Sequence, residues 1–134
     1  HTSAAILLLE QQGQLSLSDT VFGPPPSLLS NLTGTPPSYP GAKVDPRLHS
    51  ITIHHLLHHI GGWCARGRGD TTVCDAPDPM FEPQTIASAL GVASPPGPDD
   101  IVRYMASQPL QYTPGTAYAY SNFGCAQAAK ATIV

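Results

Sequence analysis

Charge is the first thing this sequence lacks: charged residues are 11% of the 134, and the six Lys or Arg against nine Asp or Glu leave a net charge of −3. So small a charge, of negative sign, gives no electrostatic footprint for nucleic acid or for an anionic membrane surface. Long apolar runs are missing too. The longest, Ala4 to Leu9, has six residues, against the roughly 20 that a membrane-spanning helix needs. No basic segment or cleavage site accompanies it, so it is not a signal peptide. Three cysteines are too few for a disulfide-dense scaffold. Leu, Ile, Val and Phe supply only 29 of 134 residues, close to the lower limit for a packed interior. The expectation is one domain with a thin core, interrupted by 15 prolines and 12 glycines.

The cysteines still carry information. Cys64 and Cys74 flank a Gly-rich polar stretch, where a bridge would close a small loop in an oxidising compartment. Cys125 stands alone and reads as a small inward residue of the last helix rather than a nucleophile. Asn31-Leu32-Thr33 is a glycosylation sequon in a Pro/Gly-rich region, where a surface loop is expected. Together these features point to a secreted protein.

Along the chain, HTSAAILLLEQQ predicts a helix stopped by Gly13 and buried on most of its faces. Residues 22–47 read as a connector, ordered in places, rather than a packed element. Thr52 caps a second helix running from Ile53 to His59 and ended by Gly61-Gly62. A loop over 63–81 precedes a short helix from Glu82 to Leu90, closed by Gly91, and another opened by Pro98-Asp99-Asp100. Thr113 to Thr116 is a turn, Ala117 to Tyr120 an extended piece, and Asn122 to Val134 a final Ala-rich helix.

Three groups of residues are candidates for chemistry. His54, His55, His58 and His59 stand at i,i+4 spacing, as zinc enzymes use, but the glutamate of a HExxH motif is absent. A polar helix face is the better reading, and no metal is assigned. Asp75, Asp78, Glu82, Asp99 and Asp100 fall at turns and helix starts, where capping explains them. The third group is PGTAYAYSNFG. Its Pro-Gly turn feeds an extended strip that delivers Tyr118 and Tyr120 in alternation, and Ser121 and Asn122 then cap a helix. A phenol and a carboxamide are thereby held at a rigid junction.

ITIHHLLHHIGGW, followed about 60 residues later by PGTAYAYSNFG, resembles the serine β-lactamase and penicillin-binding-protein-like family, in its class C-like esterase and peptidase branch. Ile51, Thr52, Leu56, Leu57, His59 and Gly62 match the first block of that family, with Ile60 and Gly61 replacing its usual Thr and Ser. Pro114, Gly115, Tyr120, Ser121, Asn122 and Gly124 match the second. The opening AAILLLEQQGQLSLSD is similar to the helix that follows the nucleophile, so the resemblance spans the whole chain.

The resemblance implies an α+β fold of β-lactamase/transpeptidase type, of which residues 1–134 cover mainly the helical subdomain as a single incomplete domain. It implies serine acyl transfer on an ester, amide or D-amino-acid peptide, without a cofactor. Tyr120 takes the role of the family's catalytic tyrosine and Asn122 that of its substrate-contacting asparagine. The family's Ser-x-x-Lys motif is absent, however. The two lysines, Lys43 and Lys130, follow Pro40 and Gln127 by three positions. The C-terminal Lys-Thr-Gly type of motif is missing as well. The expectation is a fragment, inactive alone, of a hydrolase with small-molecule or peptide substrates. The competing expectation is a degenerate, non-catalytic binding domain of the same fold. A His-rich metal module is a third, which tight zinc uptake would reveal.

Overall fold

A computed structural model describes residues 2–66, 72–74 and 78–132. Six α-helices follow in order: α1 (Thr2–Gln11), α2 (Ser30–Thr33), α3 (Ile53–Leu57), α4 (Pro83–Leu90), α5 (Pro98–Ala106) and α6 (Asn122–Ala131). Short 3-10 turns at Pro46–Ser50 and Pro79–Phe81 complete them. No strand forms among the described residues; an isolated antiparallel bridge joins Thr20 to Thr52. The fold is therefore mostly helical.

The ends of these helices follow the capping chemistry of the sequence. Gly13, at φ 73°, turns the chain after α1, and its N–H reaches the Glu10 carbonyl at 2.9 Å. Gly91, at φ 67°, ends α4, whose first residue is Pro83. Asp100 accepts from the Gly97 N–H at 3.0 Å at the start of α5. Two expected boundaries need correction. The second helix stops at Leu57 rather than His59, because His58 serves as its C-cap and His59 adopts a left-handed φ of 56°. The last helix ends at Ala131, and the remaining residues of the expected span, 133–134, lie outside those described.

The connector also differs from expectation. Val21, Phe22, Leu29 and Leu32 are buried and belong to the main core cluster, because the proline-rich chain folds back on itself. Leu29 N donates to Val21 O at 2.8 Å, and Thr33 Oγ1 accepts from Gly23 N at 2.8 Å. Phe22 then joins Trp63 and Phe123 in an aromatic trio. Trp63 stands edge-on to both partners, with centroids 5.4 Å from Phe22 and 5.0 Å from Phe123, the geometry favoured by ring quadrupoles. Connector, post-α3 loop and α6 are thus tied at one point.

α1 departs furthest from the reading. Only Ile6 is buried, while Leu7 and Leu8 are 51% and 52% exposed. Its main helical neighbour is α6, and one neighbour covers one face of a helix whose apolar residues run nearly all round. Elsewhere Arg47 grips Asp45 with Nε at 3.0 Å and Nη2 at 2.7 Å, and Nη2 also donates to Leu110 O at 2.8 Å. This guanidinium hydrogen bond holds the Asp45 carboxyl at about 2. The clamp fixes residues 45–47 against the chain that leads into the second motif.

Candidate active site

α3 begins with a reciprocal cap. Thr52 Oγ1 accepts from His55 N at 3.3 Å, and His55 Nδ1 accepts from Thr52 N at 3.2 Å. His55 does here what a glutamate does in the usual capping box. The role requires a neutral ring with an unprotonated Nδ1. Burial, helped by the neighbouring His54, lowers its pKa accordingly. His54 and His58 lie one turn apart with ring centroids 4.2 Å from each other. Among the described residues no group of three or more His, Cys, Asp or Glu gathers at a metal-sized site.

His59 is the hinge between the two sequence blocks, a role that pattern alone did not reveal. Its carbonyl accepts from Ala119 N at 2.9 Å, and its Nδ1 accepts from Ser121 N at 3.1 Å. Next to it, Ile60 O accepts from Gly115 N at 2.7 Å and Gly62 O accepts from Gln111 N and Tyr112 N at 3.0 Å each. The extended piece 117–120 therefore pairs with the end of α3 instead of forming a strand. Gly62, at φ 110°, is required: a Cβ there would lie 2.5 Å from Tyr112 O. The left-handed conformation of His59 offered the one local clue, invisible without coordinates.

Tyr118 and Tyr120, two positions apart on the extended strip, both meet the His59 ring. Their centroids lie 5.8 Å and 4.6 Å from it. Tyr120 is 39% exposed, so its ring rests on the imidazole and is not sealed in the core. His59 is held below the ordinary histidine pKa, by burial first and the adjacent His58 second. It therefore presents a neutral ring, with Nδ1 occupied as an acceptor. Its other nitrogen faces Cys125 Sγ at 3.7 Å. Cys125 is half-buried rather than buried, and burial raises its thiol pKa, which keeps it protonated and poorly nucleophilic.

Ser121 alone caps α6, its Oγ accepting from Gly124 N at 2.9 Å. Asn122 is the first helical residue and does not share the capping. Its Nδ2 donates to Asp78 Oδ2 at 3.2 Å, a partnership across 44 residues that no sequence signal announced. Asp78 also caps the 3-10 turn through Met80 N at 3.0 Å. Glu82 accepts from Thr85 Oγ1 at 3.1 Å, and Asp99 pairs with Lys130 at 2.7 Å. Asp75 lies outside the described residues.

Beside the motif lies a cavity of about 180 Å³ walled by Trp63, Tyr104, Met105 and Phe123, with Asp78 and Glu82 supplying carboxylates and Ser121 reaching it from the motif. Cys64, in the same wall, is joined to Cys74 by a disulfide with Cα atoms 4.8 Å apart. Asn31 is exposed, but on α2 rather than on a loop. The hydroxyl of Thr33 in its sequon is buried, donating to Leu29 O at 2.8 Å.

With the two motif blocks interlocked through His59, comparison with known families decides the lineage: the β-lactamase family model matches residues 1–132. The chain belongs to the β-lactamase family. It is a β-lactamase-related hydrolase sequence, mostly helical in its described residues, and it contains no Ser-x-x-Lys. Among the described residues no helix is long and apolar enough to cross a membrane.

Proposed function

We propose that Tyr120 and Asn122 form one wall of a serine acyl-transfer site that works on an ester, an amide or a D-amino-acid peptide. The observation that carries this reading is the seating of Tyr120. Its ring lies half-exposed on a neutral imidazole while the next backbone N–H is locked to that same ring. A phenol seated on that ring and 39% exposed stands where proton transfer at the edge of a cleft can use it. A phenol alone is a poor base at neutral pH, so an adjacent ammonium is needed to favour the phenolate. In the family that ammonium belongs to the Ser-x-x-Lys lysine.

In the reaction the serine oxygen attacks the carbonyl carbon and its proton passes to the Tyr120 oxygen. The tetrahedral intermediate collapses, the carbonyl–leaving-group bond breaks, and the phenol returns the proton to the departing atom. Water then repeats the sequence on the acyl-enzyme. Asn122, its carboxamide oriented by Asp78, contacts the substrate amide. The 134 residues carry neither the nucleophile nor the lysine, so this chain does not turn over by itself. The Cys64–Cys74 bridge supports a secreted protein, since such bonds persist in oxidising compartments.

The test is a chromogenic-ester assay on the product of the full reading frame, with Tyr120→Phe beside the parent. Turnover is expected to fall at least about 100-fold with the melting temperature unchanged. Equal turnover in the two proteins overturns the role of Tyr120. A reading frame without Ser-x-x-Lys ahead of His1 favours the second reading, a non-catalytic binding domain.

A further inference from the structure

We propose that His54 and His58 form a two-imidazole clip for a late divalent transition-metal ion of the Ni²⁺ or Cu²⁺ kind at the end of α3. The missing glutamate excludes a catalytic HExxH site, yet it does not touch the ability of two imidazoles to chelate. The two residues stand four apart, so helical geometry sets one above the other on one face. Their ring centroids are 4.2 Å apart and their planes are tilted by 33°. Two metal–nitrogen bonds of ~2.1 Å at right angles put ring centres roughly 4.5 Å apart. The pair thus stands at chelating distance before any ion arrives. Both residues are exposed, so an ion reaches them from solvent and a small turn of each ring completes the grip.

The tautomer of His58 is fixed in the sense that chelation requires. Its Nδ1 lies 3.0 Å from the His54 carbonyl oxygen, and a carbonyl can only accept, so Nδ1 carries the proton. In the neutral ring Nε2 is then bare. A metal-ligating histidine ordinarily donates its second ring N–H to a carbonyl or carboxylate in this way. Glu10 borders the same hollow as His54 and adds negative charge on that side of the helix. No third His, Cys, Asp or Glu completes a cage among the described residues, so water takes the remaining positions. The clip is open and exchangeable, unlike the closed four-ligand zinc site of a metal module. Imidazole suits Cu²⁺ and Ni²⁺, whereas Mg²⁺ takes oxygen ligands.

An ion held there braces the junction. His58 is the C-cap of α3, and His59 follows it with a left-handed φ. Tying His58 back to His54 fixes the turn from which His59 holds Ser121 N and supports Tyr120. The clip does not depend on the acyl-transfer reading, and its test needs no turnover. Calorimetric titration of the tag-free product of the full reading frame with Ni²⁺ is expected to show saturable uptake at about pH 7.5, where free imidazole is mostly neutral. Ni²⁺ is also expected to raise the melting temperature, because the two rings meet only while α3 is helical.

His54→Gln and His58→Gln, each folded by circular dichroism, should each weaken Ni²⁺ at least about tenfold, since each leaves one arm of a chelate. His49→Gln removes an exposed imidazole outside α3 and should leave the affinity unchanged. Equimolar Mg²⁺ should not compete. Unchanged Ni²⁺ affinity in either helix variant overturns the proposal. So does uptake that His49→Gln abolishes, or displacement of Ni²⁺ by Mg²⁺. Absence of saturable uptake, or of the rise in melting temperature, overturns it too.

Discussion

The junction between α3 and α6 and the helix α1 are both apolar in sequence, yet they are built on opposite terms. At the junction, backbone N–H groups of residues 111–121 donate to acceptors on residues 59–62 at 2.7–3.1 Å, and Phe123 and Leu56 are almost wholly buried beneath them. α1 places one residue, Ile6, in the core and leaves Leu7 and Leu8 half in solvent. Apolar content therefore does not say where stability resides. What decides is whether the apolar residues are covered and the polar backbone around them is paired.

The largest effect is expected at the aromatic trio. Phe123→Ala removes the ring that bridges Trp63 and Phe22, and should cost about 3–5 kcal/mol by urea unfolding. A loss below about 1 kcal/mol would mean that the junction is no firmer than α1. Next comes Gly62→Ala. The substituent has a carbonyl 2.5 Å away and a φ of 110° to endure, for a cost of about 1–3 kcal/mol. Its unfolding midpoint, compared with that of Gly13→Ala, sharpens the contrast. Gly13 also has a positive φ, but a Cβ there meets nothing within 4 Å, so the difference between the two variants isolates the clash.

A third effect is smaller and depends on pH. His59 and His55 are both held below the ordinary histidine pKa, chiefly by burial. Each therefore binds fewer protons folded than unfolded in the region just below about 6.5. Stability is expected to rise with pH through that region, and to be lost as the pH falls from about 6.5 toward the lower folded values. Protonation of His59 Nδ1 would also remove the acceptor of Ser121 N. In His59→Gln, whose amide oxygen can still accept that bond, the slope should be smaller, with the remainder carried by His55. An unchanged slope would show that the His59 ring does not titrate with unfolding. The Asp45–Arg47 clamp acts in a separate window. A carboxyl held at about 2 supports the fold above about 4 and releases that support as the pH falls toward 2.

Much of this architecture was legible because it is local. Gly13, Gly91, Pro83 and the Thr52 and Ser121 caps each act within four residues, and helix ends obey such short-range chemistry. The tyrosine strip was legible for the same reason: alternation alone puts Tyr118 and Tyr120 on one side. What was not legible is non-local. The bond from Asn122 to Asp78 spans 44 residues. The burial of Phe22 and Leu29 depends on a proline-rich chain folding back, for which composition argues only irregularity. The early end of α3 is set by Gly115 and Ala119 drawing Ile60 and His59 into a different pairing. The histidine row was not legible, because the cap formed by His55 and the bridge formed by His59 required the partner segments to be in place.

The smallest effect belongs to α1, and it tests the comparison from the other side. Leu7 is 51% exposed, and burial of a whole leucine side chain is worth about 1.5–3 kcal/mol. A half-covered leucine should therefore contribute about 1 kcal/mol or less, and Leu7→Gln should lower stability by no more than that, since glutamine is nearly as good a helix former. Ile6→Ala, one residue away in the same helix, should cost about 2–4 kcal/mol, because Ile6 is fully buried in the core cluster. The pair shares a helix and a place in the chain, and propensity favours the Ala variant, so a larger loss at Ile6 reports coverage. If Leu7→Gln proved as damaging as Ile6→Ala, the leucine face would be covered in solution, and α1 would have to be counted with the junction rather than against it.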